Sequence, residues 1–378
     1  MLIGIDASRT VAPERTGTEN YSLFLIRALL EQDHHNLYRL YFNAFPPTDL
    51  LPAAGVERRM MPIPRLWTHL RLSWEMALRP PDVLFVPAHV LPVVHPRRSV
   101  VTIHDLGYLH YPEAHTRWSR WYLRWSTSYS ARSASAIMVD SKATQQDLVE
   151  HCGTSAEKIR VVYPGCDPDF APVRDRARVA EVCRRYGIPL PYVTYVGTLQ
   201  PRKNLGALLD AFSTLVSKNA AIHLVIAGRK GWLYEPLFAQ VRRLGLEDRV
   251  HFTGYIPQVD LPALISGAQA FVLPSLYEGF GLPVLEAMAC GTPVICSKGS
   301  SLPEVAGDAT LLVDPHDTGQ LTQALTRVLE DEGLRRELAA RGLQRAQGFT
   351  WERTARETLA ILEGVTREPQ PPLAAPVS

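Results

Sequence analysis

The sequence predicts an α/β protein of two parallel-sheet domains. At 378 residues the chain is long for a single hydrophobic core, and two domains is the natural division. Short apolar runs alternate with helical periodicity twice over, once up to Pro172 and again from Tyr192, which is the pattern of strand–helix–strand crossovers. The clearest case is residues 271–297. There an apolar run stops at Pro274, a loop leads to a short helix opening at Pro283, Gly291 closes that helix, and a second apolar run follows.

Composition bounds the function classes. Hydrophobic residues make up 46% and charged residues 21%, as in globular proteins with buried cores. A formal net charge of +2 leaves no electrostatic footprint for nucleic acid, so no such partner is expected. The cysteines (Cys152, Cys166, Cys183, Cys290, Cys296) form no close pair and are odd in number, which fits reduced thiols. The chain enters a strand without a basic leader, and no apolar run has bilayer length. The expectation is a cytoplasmic protein that can still sit on the inner face of a membrane.

In chain order, residues 2–6 read as a buried strand, a polar loop runs from Ala7 to Thr18, and a helix covers 19–30. No GxGxxG follows the first strand, which argues against a nicotinamide-dependent dehydrogenase, and no cofactor is called for. Further strands are expected at 37–42, 83–86, 100–104, 136–139 and 159–162, with helices over 118–132 and 142–151. The second series places strands at 193–196, 223–227, 250–253, 271–273, 294–296 and 310–313. Its helices cover 205–216, 319–329 and 334–346, and a last helix spans 351–362. The tail from Pro369 is rich in Pro and Ala and reads as disordered.

Two loops carry chemistry. In Tyr277-Glu278-Gly279-Phe280-Gly281-Leu282 the glycines would let backbone approach a bound group. The N–H groups of Phe280, Gly281 and Leu282 would meet that group at the positive end of a helix dipole, which suits phosphate. Glu278 and Glu286 are awkward beside phosphate unless they accept hydrogen bonds from hydroxyls, so the ligand combines phosphates with polyols, as a sugar nucleotide does. The second loop, 197–204, puts Arg202 and Lys203 after a strand, with Asn204 placed to cap the next helix. In the first domain His104 ends a strand, where it either serves structure or faces a sugar hydroxyl across the cleft. Asp105 beside it would cap the following turn.

These stretches together resemble glycosyltransferase family 4. The matching pieces are Thr-Gly-Thr-Glu-Asn-Tyr at 16–21, Val-Thr-Ile-His-Asp-Leu at 101–106, Gly-Thr-Leu-Gln-Pro-Arg-Lys-Asn at 197–204, Val-Ile-Ala-Gly at 225–228 and the 274–291 segment. The most specific element is Glu278 and Glu286 with seven residues between them. The resemblance implies the GT-B architecture, two Rossmann-like domains facing each other across a cleft. The acceptor domain would be 1–172 and the donor domain 173–348. Residues 349–365 would form a helix packing back on the first domain, ahead of a disordered tail at 366–378.

It also implies roles. Glu286 would accept from the ribose hydroxyls and Glu278 would contact the transferred sugar. Arg202 and Lys203 would hold the diphosphate with the N–H groups of Phe280, Gly281 and Leu282. His104 would touch the donor sugar, Gly17 would admit the phosphates, and Tyr255 and Ile256 would lie near the base. Thr198 stands where many relatives carry Arg, with Arg202 beside Lys203 as the substitute. The implied reaction retains anomeric configuration and moves a sugar, with a mild preference for GDP-mannose as donor, to a saccharide or lipid-linked acceptor. No catalytic metal is expected, since positive side chains and backbone dipoles at the diphosphate would do the work of a metal ion. The rival readings are a sugar-nucleotide epimerase of the same build and a non-catalytic nucleotide-sugar binder.

Two segments rich in Trp and Arg stand apart from these motifs. Trp118, Trp121, Tyr122 and Trp125 share a helical face beside Arg117, Arg120 and Arg124, and Arg65, Trp67, Leu70, Arg71 and Trp74 form a second group. Either the rings pack into the domain and leave the arginines solvated, or the surface is an acceptor groove or a contact for anionic lipid.

Overall fold

The apolar runs pair in parallel in two separate sheets. In the computed structural model, which describes residues 1–12, 15–52, 55–63, 66–112, 116–217 and 221–367, the first sheet contains β1 (Leu2–Asp6), β2 (Leu37–Phe42), β3 (Val56–Met60), β4 (Val83–Val86), β5 (Ser99–Ile103), β6 (Ala136–Val139) and β7 (Ile159–Val161), in the order β3-β2-β1-β4-β5-β6-β7. The second contains β8 (Tyr192–Val196), β9 (His223–Ala227), β10 (Val250–Gly254), β11 (Ala270–Leu273), β12 (Val294–Ser297) and β13 (Leu311–Val313), ordered β10-β9-β8-β11-β12-β13. Strands β4, β5, β6, β11 and β12 are buried throughout, as strands covered by helices on both faces must be. The α/β class and the two-sheet GT-B architecture expected from the sequence are both present.

Strand order dictates where ligands can enter. In the second sheet the order reverses between β8 and β11, so the loops leaving their carboxyl ends diverge and open a crevice. Those are the 197–204 and 274–281 loops. The first sheet reverses between β1 and β4, which opens the corresponding crevice beside the loop that enters helix Gly17–Gln32.

Strand β3 was not expected. Its sequence, Val-Glu-Arg-Arg-Met, is charged because it forms the edge of the sheet, where Arg39 of β2 pairs with Glu57. The last helix, Trp351–Arg367, lies on the first domain: Trp351, Ala355 and Leu362 are buried among Ile3, Tyr21, Leu25 and Phe85. A Cβ at Gly165 would sit 2.3 Å from the Trp351 nitrogen, so the linker runs directly beneath that helix.

Candidate functional site

A single cleft between the sheets is lined by Gly17, His104, Thr198, Arg202, Lys203, Tyr255, Ile256, Glu278, Phe280, Gly281, Leu282 and Glu286. It thus gathers the motif residues of both halves. Gly17 opens helix Gly17–Gln32, with Thr16 and Glu19 forming a capping box. A Cβ at Gly17 would touch only Leu282 of the opposite wall, at 3.9 Å, so packing leaves the space above this helix end open. Tyr255 is 38% exposed and offers its ring to the cleft with the Arg229 guanidinium 5.7 Å from the ring centre, while Ile256 is buried beneath.

The floor of the cleft is a buried charge cluster. Lys203 Nζ lies 2.5 Å from Glu278 Oε1, and the Ser275 hydroxyl donates to the same oxygen at 2.6 Å. Arg202 Nη1 donates to the Tyr277 carbonyl at 2.9 Å and lies 3.4 Å from Glu278 Oε2, while Nη2 is 3.9 Å from Asp105 Oδ2 of the first domain. Burial opposes ionisation of Glu278, but the Lys203 and Arg202 charges overcome it and hold the carboxyl below its usual range. Lys203 is therefore the fixed counter-ion of Glu278. Arg202 reaches both walls and keeps guanidinium surface toward the cleft.

Asn204 does not cap helix Leu205–Val216 as its position suggested. Its backbone is left-handed (φ 56°), and its side-chain amide donates instead to the carbonyls of Pro274 and Pro315, at 3.2 and 2.7 Å. It ties the two ligand-facing loops together.

Helix Leu282–Ala289 points its N-terminus into the cleft, and among the described residues none accepts a hydrogen bond from the N–H groups of Phe280, Gly281 or Leu282. The flanking glycines are required by protein contacts rather than by ligand approach alone. Gly281 has φ 105°, and a Cβ at Gly279 would lie 2.2 Å from the His104 carbonyl oxygen of the opposite domain. The Phe280 ring packs away from the cleft against Tyr163 and Phe349, so only its backbone can serve a ligand. Glu286, on the first turns of this helix, is raised to about 8 by burial, with the Asp167 charge adding to it. Among the described residues it has no positive partner.

His104 is committed on both sides. Its Nδ1 lies 2.6 Å from Asp140 Oδ2 and its Nε2 2.9 Å from the Pro87 carbonyl, and Asp140 holds the imidazole above its usual range against the opposing effect of burial. It faces the cleft as a ring edge fixed by two bonds, with no ring nitrogen left over for a sugar hydroxyl. Asp140 was missed in the sequence, although it follows β6 just as His104 follows β5. Asp105 accepts from the Gly107 N–H at 3.0 Å, the expected turn cap, in addition to facing Arg202.

The domains also meet along helix Lys142–Cys152. Glu304 of the second domain accepts from the N–H groups of Lys142 and Ala143 at the helix start, at 3.1 and 3.3 Å, where the dipole favours a carboxylate. Further along the same helix Asp147 Oδ2 accepts from the Tyr277 hydroxyl at 2.6 Å.

The rings of the Trp- and Arg-rich helix do not pack into the domain. In helix Arg117–Ser133, Trp118 is 82% and Trp121 62% exposed, and Arg117, Arg120 and Arg124 are exposed among them. In the second segment Trp67 alone is buried, donating to the Met61 carbonyl at 2.8 Å, while Leu70 and Trp74 are exposed; Arg65 lies outside the described residues. His69 joins the segments through a 2.9 Å bond to the Tyr122 hydroxyl. The result is one apolar-basic patch. Among the described residues no helix is long and apolar enough to cross a membrane.

Two facing parallel sheets with a cationic loop, a helix N-terminus and a buried carboxyl in the cleft fit a glycosyltransferase. Family models agree. The model for glycosyltransferase family 4 matches residues 15–170, and that for glycosyl transferases group 1 matches residues 188–345. The O-antigen chain mannosyltransferase B of Escherichia coli is 37% identical over 264 residues, covering 69% of each chain. The chain belongs to this glycosyltransferase family. The serotype-specific mannosyltransferase WbdA of Escherichia coli is 33% identical over 238 residues, 62% of this chain and 29% of that protein, so the chain spans under a third of that larger relative. Among solved structures, sucrose-phosphate synthase from Thermosynechococcus elongatus superposes with a TM-score of 0.76 at 23% identity, over 96% of this chain and 98% of that one, a likeness of fold.

Proposed function

We propose that the protein is a retaining mannosyltransferase that takes its sugar from GDP-mannose and delivers it to a saccharide or lipid-linked acceptor, with no catalytic metal. The observation that carries the donor half is the juxtaposition of Arg202, the helix N-terminus at Gly281–Leu282 and Glu286 in one cleft. Cations and backbone N–H groups suit a diphosphate, and a buried carboxyl without a positive partner among the described residues suits vicinal ribose hydroxyls. Breaking the sugar–phosphate bond builds negative charge on the leaving diphosphate, so Arg202 and the helix end stabilise the transition state more than the ground state. Glu278, tied to Lys203, serves as a fixed negative charge near the anomeric carbon rather than as a nucleophile. His104, whose ring nitrogens are both engaged, shapes the sugar pocket from the opposite wall. The mannosyl assignment rests on the named activities of the curated relatives.

The exposed Trp/Arg patch supports peripheral attachment to an anionic membrane surface, where a lipid-linked acceptor would be met. Two experiments test these readings. Proton NMR of the product formed from GDP-mannose should show the α configuration retained; an inverted product, or no thermal stabilisation by any sugar nucleotide, counts against the transfer mechanism. Wild-type protein should co-sediment with vesicles containing anionic lipid, and Trp118→Ala/Trp121→Ala should not. Equal partitioning of the two would refute the membrane contact.

A further inference from the structure

We propose that His110, Asp147 and His151 form a binding site for a zinc-like divalent transition metal on the outer side of the domain junction, separate from the donor cleft. Asp147 and His151 stand four residues apart on one face of helix Lys142–Cys152, and His110 ends the short helix Gly107–His110. One ligand atom from each lies within 4.8 Å of the others. His110 Nε2 is 3.0 Å from Asp147 Oδ1, and His151 Nε2 is 3.9 Å from the same oxygen. Zinc bonds of about 2.0–2.2 Å to nitrogen and oxygen set ligand atoms roughly 3.3 Å apart in a tetrahedron, so one sub-ångström rotamer adjustment closes the set. The histidine side chains are 35% and 44% exposed, which leaves a route for the ion and a fourth position for water.

The surroundings are those of a held ligand set. Asp147 is only 11% exposed, and its second oxygen accepts from the Tyr277 hydroxyl at 2.6 Å, which fixes Oδ1 toward the two imidazoles. The Tyr277 ring stacks on His110 at 4.7 Å and 23°, fixing that imidazole as well. Two imidazoles with one carboxylate select zinc, cobalt or nickel over magnesium or calcium, which favour oxygen-only sets. Because Tyr277 belongs to the second domain and the three ligands to the first, the metal would brace the closed arrangement from outside the cleft.

The test uses the untagged full-length chain titrated with Co2+ under visible absorption. One equivalent should bind with a tetrahedral spectrum, be displaced by Zn2+ and be unaffected by Mg2+ or Ca2+. His110→Ala and His151→Ala should each remove the saturable site, and Tyr277→Phe, which deletes only the hydroxyl, should weaken it by about 10–100-fold. Circular dichroism of the variants confirms that they fold. Cys152→Ser, which removes the neighbouring thiol, should leave Co2+ binding unchanged. Undiminished binding in either histidine variant, a loss confined to Cys152→Ser, or no stoichiometric binding at all overturns the assignment.

Discussion

Replacing Lys203 by Met is the sharpest test of the buried charge cluster. The substitution keeps most of the unbranched apolar stem and removes the ammonium group, leaving Glu278 (7% exposed) with the Ser275 hydroxyl at 2.6 Å and Arg202 at 3.4 Å. Stripping one partner from a buried ion pair costs about 3–5 kcal/mol, and the retained Arg202 contact places this case near the lower end, about 3 kcal/mol. For a unit of roughly 150–250 residues each kcal/mol moves Tm by about 2–4 °C, so the donor-domain transition should fall by about 6–12 °C. The double variant Lys203→Met/Glu278→Gln has no stranded charge and should recover most of that loss. Differential scanning calorimetry of the two variants beside wild type measures both quantities. A single variant melting within about 2 °C of wild type, or a double variant no more stable than the single, would refute the reasoning.

Two further predictions concern Glu286 and Gly279, both on the second-domain wall of the cleft. Glu286 has its pKa raised from the usual 4.5 to about 8 by burial, so its contribution to stability is fully present below 4.5 and is lost as pH rises toward 8. Glu286→Gln should therefore flatten the fall of Tm between pH 5 and 8.5 while weakening donor binding at every pH; a variant with the wild-type Tm profile would contradict this. Gly279→Ala would drive a Cβ into the His104 carbonyl, at 2.2 Å, and overpacking of this kind costs about 1–3 kcal/mol. The domains should relieve it by opening, seen as a larger radius of gyration in solution scattering and weaker donor affinity; unchanged scattering would show that the contact does not hold the domains closed.

The sequence discloses this fold where local chemistry and tertiary role agree. The 271–297 stretch is legible because Pro274, Pro283 and Gly291 punctuate it as strand, helix and strand, and the structure follows that punctuation, with Gly291 left-handed at φ 70°. Strand β3 is illegible because an edge strand must carry charge, which hides the alternation that marks a strand. The site is legible as a list of loops but not as a network. That Lys203 answers Glu278, 75 residues away, or that Asp140 orients His104, follows only once the sheet order is known. The glycines mislead most. Gly279 reads as room for a ligand, yet what it admits is the carbonyl of His104 from the facing domain. Nor could periodicity tell whether Trp118 and Trp121 lie in or out, since a helix resting on Ser126, Thr127, Ser130 and Ala131 presents the same aromatic spacing as one resting on its rings.

The central claim is that this cleft holds a nucleotide sugar with its ribose on Glu286 and its diphosphate on Arg202. Isothermal titration of GDP-mannose into wild type, Glu286→Ala and Arg202→Ala tests it most directly. The prediction is a one-to-one complex with wild type and a loss of at least about tenfold in affinity in each variant, equivalent to about 1.4 kcal/mol. Glu286→Ala should lose affinity for GDP and GDP-mannose alike, since both carry the ribose. Wild-type affinity in both variants, or no binding of any nucleotide sugar by the wild-type chain, would contradict it.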